Sequence, residues 1–393
     1  MNYIPRTLVK TISASLRRKK SVLLLGPRQT GKTTLIESFK PDVLISLVRF
    51  DLRQRYEKNP DILRGEIELT KKNLKRRPLV SIDEVQKVPA LMDVVQDLID
   101  RNIALFILSG SSARKLKRGS QINLLPGRVV ALHLDPLSLL ELRDRKISLE
   151  DLLFYGSLPR QVLNKNTVEK ELDLRSYVTT YLEEEIRSEA LVRNVASFGR
   201  FLELASLESG QIINLRKLSQ DVGVAHTTIK DYFDILVDCL IAERIQPITK
   251  SQTRKKLTKS EKFLIFDLGV RRLATDEGVR VTPERKGQLF EQFIGLELIR
   301  MARLSKTRTK ILFWRDPGGP EIDWVIQTNG TYIPIETKWT DSPRPSDSKN
   351  VELFLKEYSN SKKGYVICRT PNPVQLSHQV TALPWNQLLN FFK

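Results

Sequence analysis

Cysteine and histidine are scarce in this chain: of 393 residues, two are cysteine and three are histidine. Cys239 and Cys368 lie far apart in apolar surroundings, which argues against a disulfide framework or a thiolate metal centre and fits a reducing compartment. His133, His226 and His378 are too scattered for a zinc site or a histidine-based triad. No apolar run approaches the ~20 residues of a membrane helix. No leading stretch has the form of a signal peptide, so a cytoplasmic location is expected. Acidic residues are outnumbered, 46 Asp+Glu against 65 Lys+Arg, for a net charge of +19. The surplus is uneven, since residues 241–320 hold 18 Lys/Arg against nine Asp/Glu. Such a concentration points to contact with a phosphate backbone, and wholly electrostatic binding carries little sequence preference.

What is present begins with GPRQTGKT at residues 26–33, a complete phosphate-binding loop between the apolar run 21–25 and a helix expected to start near Gly31. Gly26 and Gly31 let backbone amides turn inward around the phosphates, with Pro27, Arg28, Gln29 and Thr30 between them. Lys32 neutralises the terminal phosphates, the Thr33 hydroxyl holds Mg²⁺, and Thr34 follows in the first turn. ATP and Mg²⁺ are the expected ligands. The second half of such a site is an acidic residue at the tip of another strand. Leu79, Val80 and Ile82 make that strand, so Asp83 is assigned to Mg²⁺ through water and Glu84 to orienting or deprotonating the attacking water. A further strand over 103–108 ends at Ser109, where a hydroxyl can sense the terminal phosphate or serve ordinary turn chemistry. Arg114 and Arg128 can each reach a nucleotide, this chain's or a neighbour's, or be solvated or structural charge. Strands alternating with helices at this spacing predict a mostly parallel sheet with the phosphate loop at its carboxyl ends.

The series GPRQTGKT, SIDEVQKVP, LSGSS, LPGR and DPLSLLEL resembles the bacterial and archaeal AAA+-like ATPases that carry a carboxy-terminal DUF4143 domain. The likeness continues through YGSLPR, YLEEEI, LFEQFIGLEL, WRDPGGPEIDWVI and PIETKW, over nearly the whole chain. Relatives more often show a second glycine and an acidic residue in the YGSLPR segment, where this chain has Ser157 and Arg160. By this resemblance a homo-oligomer is expected, a hexameric ring by analogy; a ring suits DNA that can be threaded or encircled, so branched or forked DNA is the expected substrate, although no residue specifies it.

Near the carboxyl end, two strand-like runs, 321–327 and 331–336, are separated by Asn329-Gly330, a strong two-residue hairpin signal. Counting outward from that turn sets Asp323 opposite Glu336, with β-carbons about 4.5–5.5 Å apart. Facing carboxylates repel unless a cation joins them, and Mg²⁺ or Mn²⁺ suits oxygen ligands. Strand alternation brings Lys338 to the face of Glu336, and the carbonyl of Thr337 is a further candidate ligand. This constellation resembles the PD-(D/E)XK nucleases, in which metal acts on the scissile phosphate and lysine positions or activates water. Asp323, Glu336 and Lys338 are the expected catalytic groups, and Glu291, in a helical stretch, matches an additional acidic ligand of that fold. Glu297, two turns on, is the competing reading for that ligand, and either glutamate can be surface charge. Trp314, Trp324 and Trp339 flank the hairpin and suit core packing better than base stacking.

Between these regions Leu215, Leu218 and Val222 form a helical stripe, Gly223 a turn, and Ile229, Tyr232, Phe233 and Leu236 the inner face of a second helix. A winged helix is expected, although His226, Thr227, Lys230, Asp231 and Asp234 make a poor face for reading a major groove. Its wing carries Lys250, Arg254, Lys255, Lys256, Lys259 and Lys262, of which Arg254, Lys255, Lys256 and Lys259 are assigned to DNA. The expected α/β multidomain architecture is a P-loop AAA+-like core at 1–150, a helical connector at 151–205, a winged helix at 206–275 and a restriction-endonuclease-like domain at 276–393.

Overall fold

The computed structural model describes residues 3–112, 125, 127–182, 194–250 and 257–392. They group into two compact units, one running up to Leu137 together with Ile235–Ile241, the other comprising Ser138–Asp234 and the residues from Ala242 onward.

The first unit is built on five strands, β1 (Ser21–Leu25), β2 (Val43–Ser46), β3 (Leu79–Asp83), β4 (Leu105–Gly110) and β5 (Val129–His133). They pair in the order β2-β3-β4-β1-β5, all parallel. Central strands of a parallel sheet are covered on both faces, so they are continuous apolar runs without alternation. Val22, Leu23, Leu24, Val80, Ile82, Phe106, Ile107 and Leu108 are accordingly all buried. Five helices are interspersed: α1 (Leu8–Arg17), α2 (Lys32–Glu37), α3 (Phe50–Lys58), α4 (Ile62–Leu74) and α5 (Leu91–Asp100). The apolar stripe of α5, Leu91, Val94, Val95 and Leu98, recurs at the helical period and joins the core with Leu23, Val80 and Phe106.

Strand order decides which of the expected nucleotide contacts share a locus. Because β4 lies between β1 and β3, its tip, Ser109, falls between the phosphate loop and Asp83. Arg128 does not belong there. Strand β5 starts beside the start of β1, Val129 with Ser21 and His133 with Leu25, so Arg128 is at the opposite edge of the sheet from the loop. Five residues of strand separate them, roughly 16 Å, and Arg128 instead ion-pairs with Asp100 at 2.7 Å. Its assignment to this chain's nucleotide is therefore corrected. Arg114 lies outside the described residues.

The second unit holds an eight-stranded sheet in the order β12-β13-β11-β10-β9-β8-β6-β7. Its strands are β6 (Ala242–Pro247), β7 (Lys262–Ile265), β8 (Thr309–Arg315), β9 (Glu321–Thr328), β10 (Thr331–Thr337), β11 (Gly364–Cys368), β12 (Val374–Gln375) and β13 (Val380–Pro384). Helices Leu215–Val222 and His226–Asp238 precede it, the first closed by Gly223 in the left-handed region at φ 75°. The antiparallel pair β6–β7 that follows them is not separate from the carboxy-terminal strands. Gln246 and Pro247 of β6 pair with Leu312 and Phe313 of β8, so one sheet runs across the boundary placed at 275/276.

The YGSLPR segment works as an internal brace. Asp267, fully buried, accepts hydrogen bonds from the amides of Ser157 at 2.8 Å and Gly269 at 2.9 Å. Arg300 donates to the Ser157 hydroxyl at 2.8 Å and to Glu297 at 2.7 Å, and Glu297 also accepts from the Leu139 amide. Glu297 is thus a buried structural carboxylate. Gly156, at φ +71°, has no room for a side chain, since a Cβ there would lie 1.9 Å from Asp267 Oδ1. Arg160 pairs with Asp173 at 2.7 Å on the surface.

A 22-residue helix, Pro283–Leu304, supports the hairpin. Thr282 caps it by accepting from the Arg285 amide, and proline occupies its first position, where no amide is needed. Gly295 sits mid-helix against the indole of Trp324 on β9; a Cβ would lie 2.4 Å from Cζ2. Absence of that atom lets β9 approach the helix, and the indole N–H donates to the Glu291 carbonyl at 3.2 Å. Gly295→Ala gains about 0.5–1 kcal/mol of helix propensity but forces overpacking worth about 1–3 kcal/mol. We expect a net loss of about 1–2 kcal/mol, read in thermal unfolding as a Tm lower by about 2–6 °C.

Candidate functional site

In the first unit the loop after β1 closes around the Lys32 ammonium, which donates to the carbonyls of Gly26 and Pro27, each at 2.9 Å. Gly31 at φ 92° and Gln29 at φ 61° supply the left-handed turns that reverse the chain, and Gly26 packs so close to the Leu134 carbonyl that a Cβ would lie 2.4 Å from it. Thr33 donates to Asp83 Oδ2 at 2.9 Å, while Ser109 donates to Asp83 Oδ1. Loop, acidic strand tip and intervening β4 thus meet at one carboxylate, buried at 4% exposure. Glu84 also adopts the left-handed region, at φ 59°, and its Oε2 accepts from Ser111 at 2.8 Å and from Gln86. Burial pushes the Glu84 carboxyl up, but the Lys32 ammonium and these hydrogen bonds outweigh it and hold it below the ordinary range, so it is a carboxylate at neutral pH. Sequence reasoning missed Arg6. Buried ahead of α1, it donates to the Thr30 and Asp135 carbonyls, each at 2.6 Å, and braces the loop from behind. A lone arginine before a helix carries no local signal of such a role.

In the second unit β9 and β10 pair in the register the Asn329-Gly330 turn sets, Thr331 with Thr328 through Ile335 with Trp324. Asn329 at φ 48° and Gly330 at φ 76° give the two left-handed residues this turn requires. Asp323 and Glu336 are the next residue beyond the last of these pairs on each strand, 7% and 4% exposed. Asp323 Oδ2 accepts from the Thr337 amide at 2.8 Å and from its hydroxyl at 2.7 Å. Lys338 Nζ lies 2.9 Å from Glu336 Oε1, with its side chain 40% exposed at the rim. Glu291, on the helix behind, is held by Lys262 Nζ at 3.1 Å. Lys262 is the surprise. The sequence places it among the exposed basic residues of the wing, yet it is 5% exposed, on β7, with its ammonium 5.1 Å from the Phe313 ring and 5.3 Å from Trp324. The available signal was Phe263-Leu264-Ile265-Phe266, an apolar strand on both faces, which is no place for a solvated lysine.

The donor set fits a divalent ion. Glu336 Oε2 is buried and has no hydrogen-bond partner, which costs free energy unless a cation or proton meets it. Oxygens of Glu291, Asp323 and Glu336 do not all converge within 4.8 Å, because Lys262 draws Glu291 and Thr337 engages Asp323. Burial, with Asp323 adding repulsion, pushes Glu336 up to about 8, while Lys338 partly offsets it. For Glu291, burial and then Asp323 raise the carboxyl to about 7 against the pull of Lys262. The consequence for Glu336 has a definite sign. Below pH 4.5 both folded and unfolded chains hold its proton; from 4.5 to about 8 only the folded chain does, so its contribution to stability falls as pH rises and is fully lost above about 8. An ion must displace that one proton, so apparent Mn²⁺ affinity should rise about tenfold per pH unit from pH 6 and level off above pH 8. Calorimetric titration at pH 6, 7, 8 and 9 reads this slope.

Trp314 and Trp324 are fully buried in the core, and Trp339, half-buried, carries the Arg369 guanidinium at 4.2 Å from its ring. Of the residues assigned to DNA, Arg254, Lys255 and Lys256 lie outside the described residues. Lys259 is exposed, and with Arg216, His226, Lys230, Arg244 and Arg315 it lines a cavity of about 820 Å³ beside the paired helices. Arg244 is engaged by Asp234 and Arg315 by Glu321, so the cavity's positive charge falls mainly to Arg216, Lys230 and Lys259.

Comparison with known proteins places an AAA domain at residues 18–143, a domain of unknown function (DUF8612) at 146–278 and another (DUF4143) at 286–388. The parallel sheet with its phosphate loop is thus an AAA-type ATPase-like domain, for which ATP and Mg²⁺ are the implied ligands. An uncharacterized protein of Mycobacterium tuberculosis, Rv2008c, is 28% identical over 390 residues, covering 98% of this chain and 84% of the relative. An uncharacterized protein of Mycobacterium bovis, Mb2031c, shows the same identity and coverage. Among solved structures, the Aeropyrum pernix ORC1 protein in complex with DNA covers 70% of this chain and 94% of its own, at 14% identity and a TM-score of 0.30. Cdc6p from Pyrobaculum aerophilum covers 71% and 97%, at 12% identity and a TM-score of 0.28. Likeness this slight carries no further weight. Among the described residues no helix is long and apolar enough to cross a membrane.

Proposed function

We propose that this protein is an ATPase joined to a Mg²⁺- or Mn²⁺-dependent DNA endonuclease of PD-(D/E)XK type. The observation that carries the nuclease reading is Glu336, a buried carboxylate with one orphaned oxygen, in line with Asp323 across a tight hairpin and paired with Lys338 at the rim. Asp323 and Glu336 would hold the ion, which supplies electrophilic activation of a phosphodiester. Lys338, partly exposed and fixed by Glu336, orients the attacking water and steadies charge on the phosphate. In the amino-terminal domain Lys32 neutralises the terminal phosphates of ATP, Thr33 and Asp83 provide the Mg²⁺ position, and Glu84 polarises water through the oxygen not engaged by Ser111 and Gln86. The helix pair with its β6–β7 wing would act as a winged helix that grips the DNA backbone through Lys259 and its basic neighbours. The family resemblance suggests ring assembly, and a ring would suit branched or forked DNA.

A second reading is an ATP-binding regulatory switch that binds nucleic acid or protein without cutting. It is favoured by one observation, that Glu291 and Glu336 each already have a lysine counter-ion. The purified chain with Mg²⁺, Mn²⁺ or chelator, with and without ATP, on linear, flapped and forked DNA separates the two. Metal-dependent cutting by wild type, lost in Asp323→Asn and Lys338→Ala, supports the nuclease. Intact DNA at every protein concentration, with ATP still changing oligomeric state, supports the switch.

A further inference from the structure

We propose that Lys262 takes the place of a second divalent ion in the carboxylate cluster, so that the site binds one ion, at Asp323 and Glu336, with Glu291 excluded as a ligand. This rests on the nuclease reading only in concerning the same carboxylates. Sites that accelerate phosphodiester chemistry with two metals need enough shared carboxylate charge to hold both ions about 3.5–4 Å apart. With all three carboxylates ionised, as an ion that displaces the Glu336 proton requires, Glu291, Asp323 and Glu336 face two ammonium groups, Lys262 and Lys338, which leaves a single net negative charge. One divalent ion and one phosphodiester bring that balance to zero; two ions would overshoot it by two charges in a largely buried site.

The Lys262 position is built for an ammonium. Its side chain enters from β7, at the far edge of the sheet, and reaches Glu291 Oε1 at 3.1 Å. Phe313 and Trp324 present their rings to it at 5.1 and 5.3 Å, a cation–π setting that a hydrated metal ion would not need. Trp324 also donates to the backbone carbonyl of Glu291, which fixes the carboxylate and the aromatic wall together. Only Glu336 Oε2 among the three acidic groups is buried without a hydrogen-bond partner, so the open position is at the hairpin and not at Glu291.

The test counts ions in the full chain. Mn²⁺ titration without nucleotide, read by the free-Mn²⁺ paramagnetic resonance signal, gives sites per chain; those lost in Asp323→Asn/Glu336→Gln belong to this cluster. We expect one such ion in wild type, two in Lys262→Met, where Glu291 is released, and one again in Lys262→Met/Glu291→Gln. Two ions in wild type, or one in a folded Lys262→Met, would overturn the inference and leave the nuclease reading standing. No cluster-dependent ion in wild type would overturn both. If Lys262→Met does not fold, the charge-neutral double variant still decides. Unchanged Mn²⁺ affinity there supports exclusion of Glu291, and a loss of tenfold or more refutes it.

Discussion

Asp323→Asn is expected to abolish metal-dependent DNA cleavage while leaving the fold intact. Asparagine keeps a carbonyl oxygen where Asp323 Oδ2 accepts from the Thr337 amide and hydroxyl, so both hydrogen bonds survive. What disappears is one negative charge beside Glu336. The metal loses a ligand, and electrophilic activation worth several kcal/mol goes with it, which corresponds to roughly a thousandfold or more in rate. Stability should move the other way. With the repulsion from Asp323 removed, the Glu336 carboxyl returns toward its ordinary range, and less stability is lost between pH 4.5 and about 8. Single-turnover cleavage and thermal unfolding at pH 7.5 on the same preparation read both effects. A cleavage rate within tenfold of wild type, or a lower Tm, contradicts this account.

Lys32→Ala is expected to have the largest effect on the amino-terminal domain. Its ammonium is the one basic group that the loop carbonyls of Gly26 and Pro27 hold in place, and Glu84 is kept ionised partly by it. Removal takes away a charge that acts on the transferred phosphoryl group, and losses of roughly 100- to 1,000-fold in turnover are typical for one such contact. The Glu84 carboxyl should also rise, which shifts any remaining ATPase activity toward higher pH. Steady-state phosphate release across pH 6–9 checks magnitude and shift together. Normal turnover in the variant would remove ATP hydrolysis from the reading.

The parts legible in the sequence were those whose geometry is local. Eight contiguous residues determine a phosphate loop, and a two-residue turn with Asn and Gly at left-handed positions determines the register of the five residue pairs next to it. Counting outward from the turn sets Asp323 opposite Glu336, and the pairs from Thr331 with Thr328 to Ile335 with Trp324 follow that count. Position across a sheet is different, since it depends on pairing between distant strands. Arg128 could be offered as a nucleotide contact because the sequence does not say which strands are neighbours or which end they share; β5 beginning beside the start of β1 puts it at the wrong end. Lys262 reads as wing charge because its company in sequence is basic, whereas β6 pairing with β8 brings the whole wing pair into the sheet that carries Asp323 and Glu336. Arg6 depends on carbonyls 24 and 129 residues away, and no periodicity records such distances.

The unbroken sheet from β12 to β7 makes the region carrying Asp323 and Glu336 poorly separable as a module. A fragment beginning at residue 276 would lack Lys262, leaving Glu291 as a buried carboxyl with no counter-ion, and would bare the flank of β8, where Ile311, Leu312 and Phe313 follow one another. Naked strand edges of that kind recruit other chains. Gene fusion or fission in this lineage would then have to keep everything from the first wing strand onward together, and a transplantable cassette carrying the hairpin carboxylates would begin before residue 242 rather than after the wing.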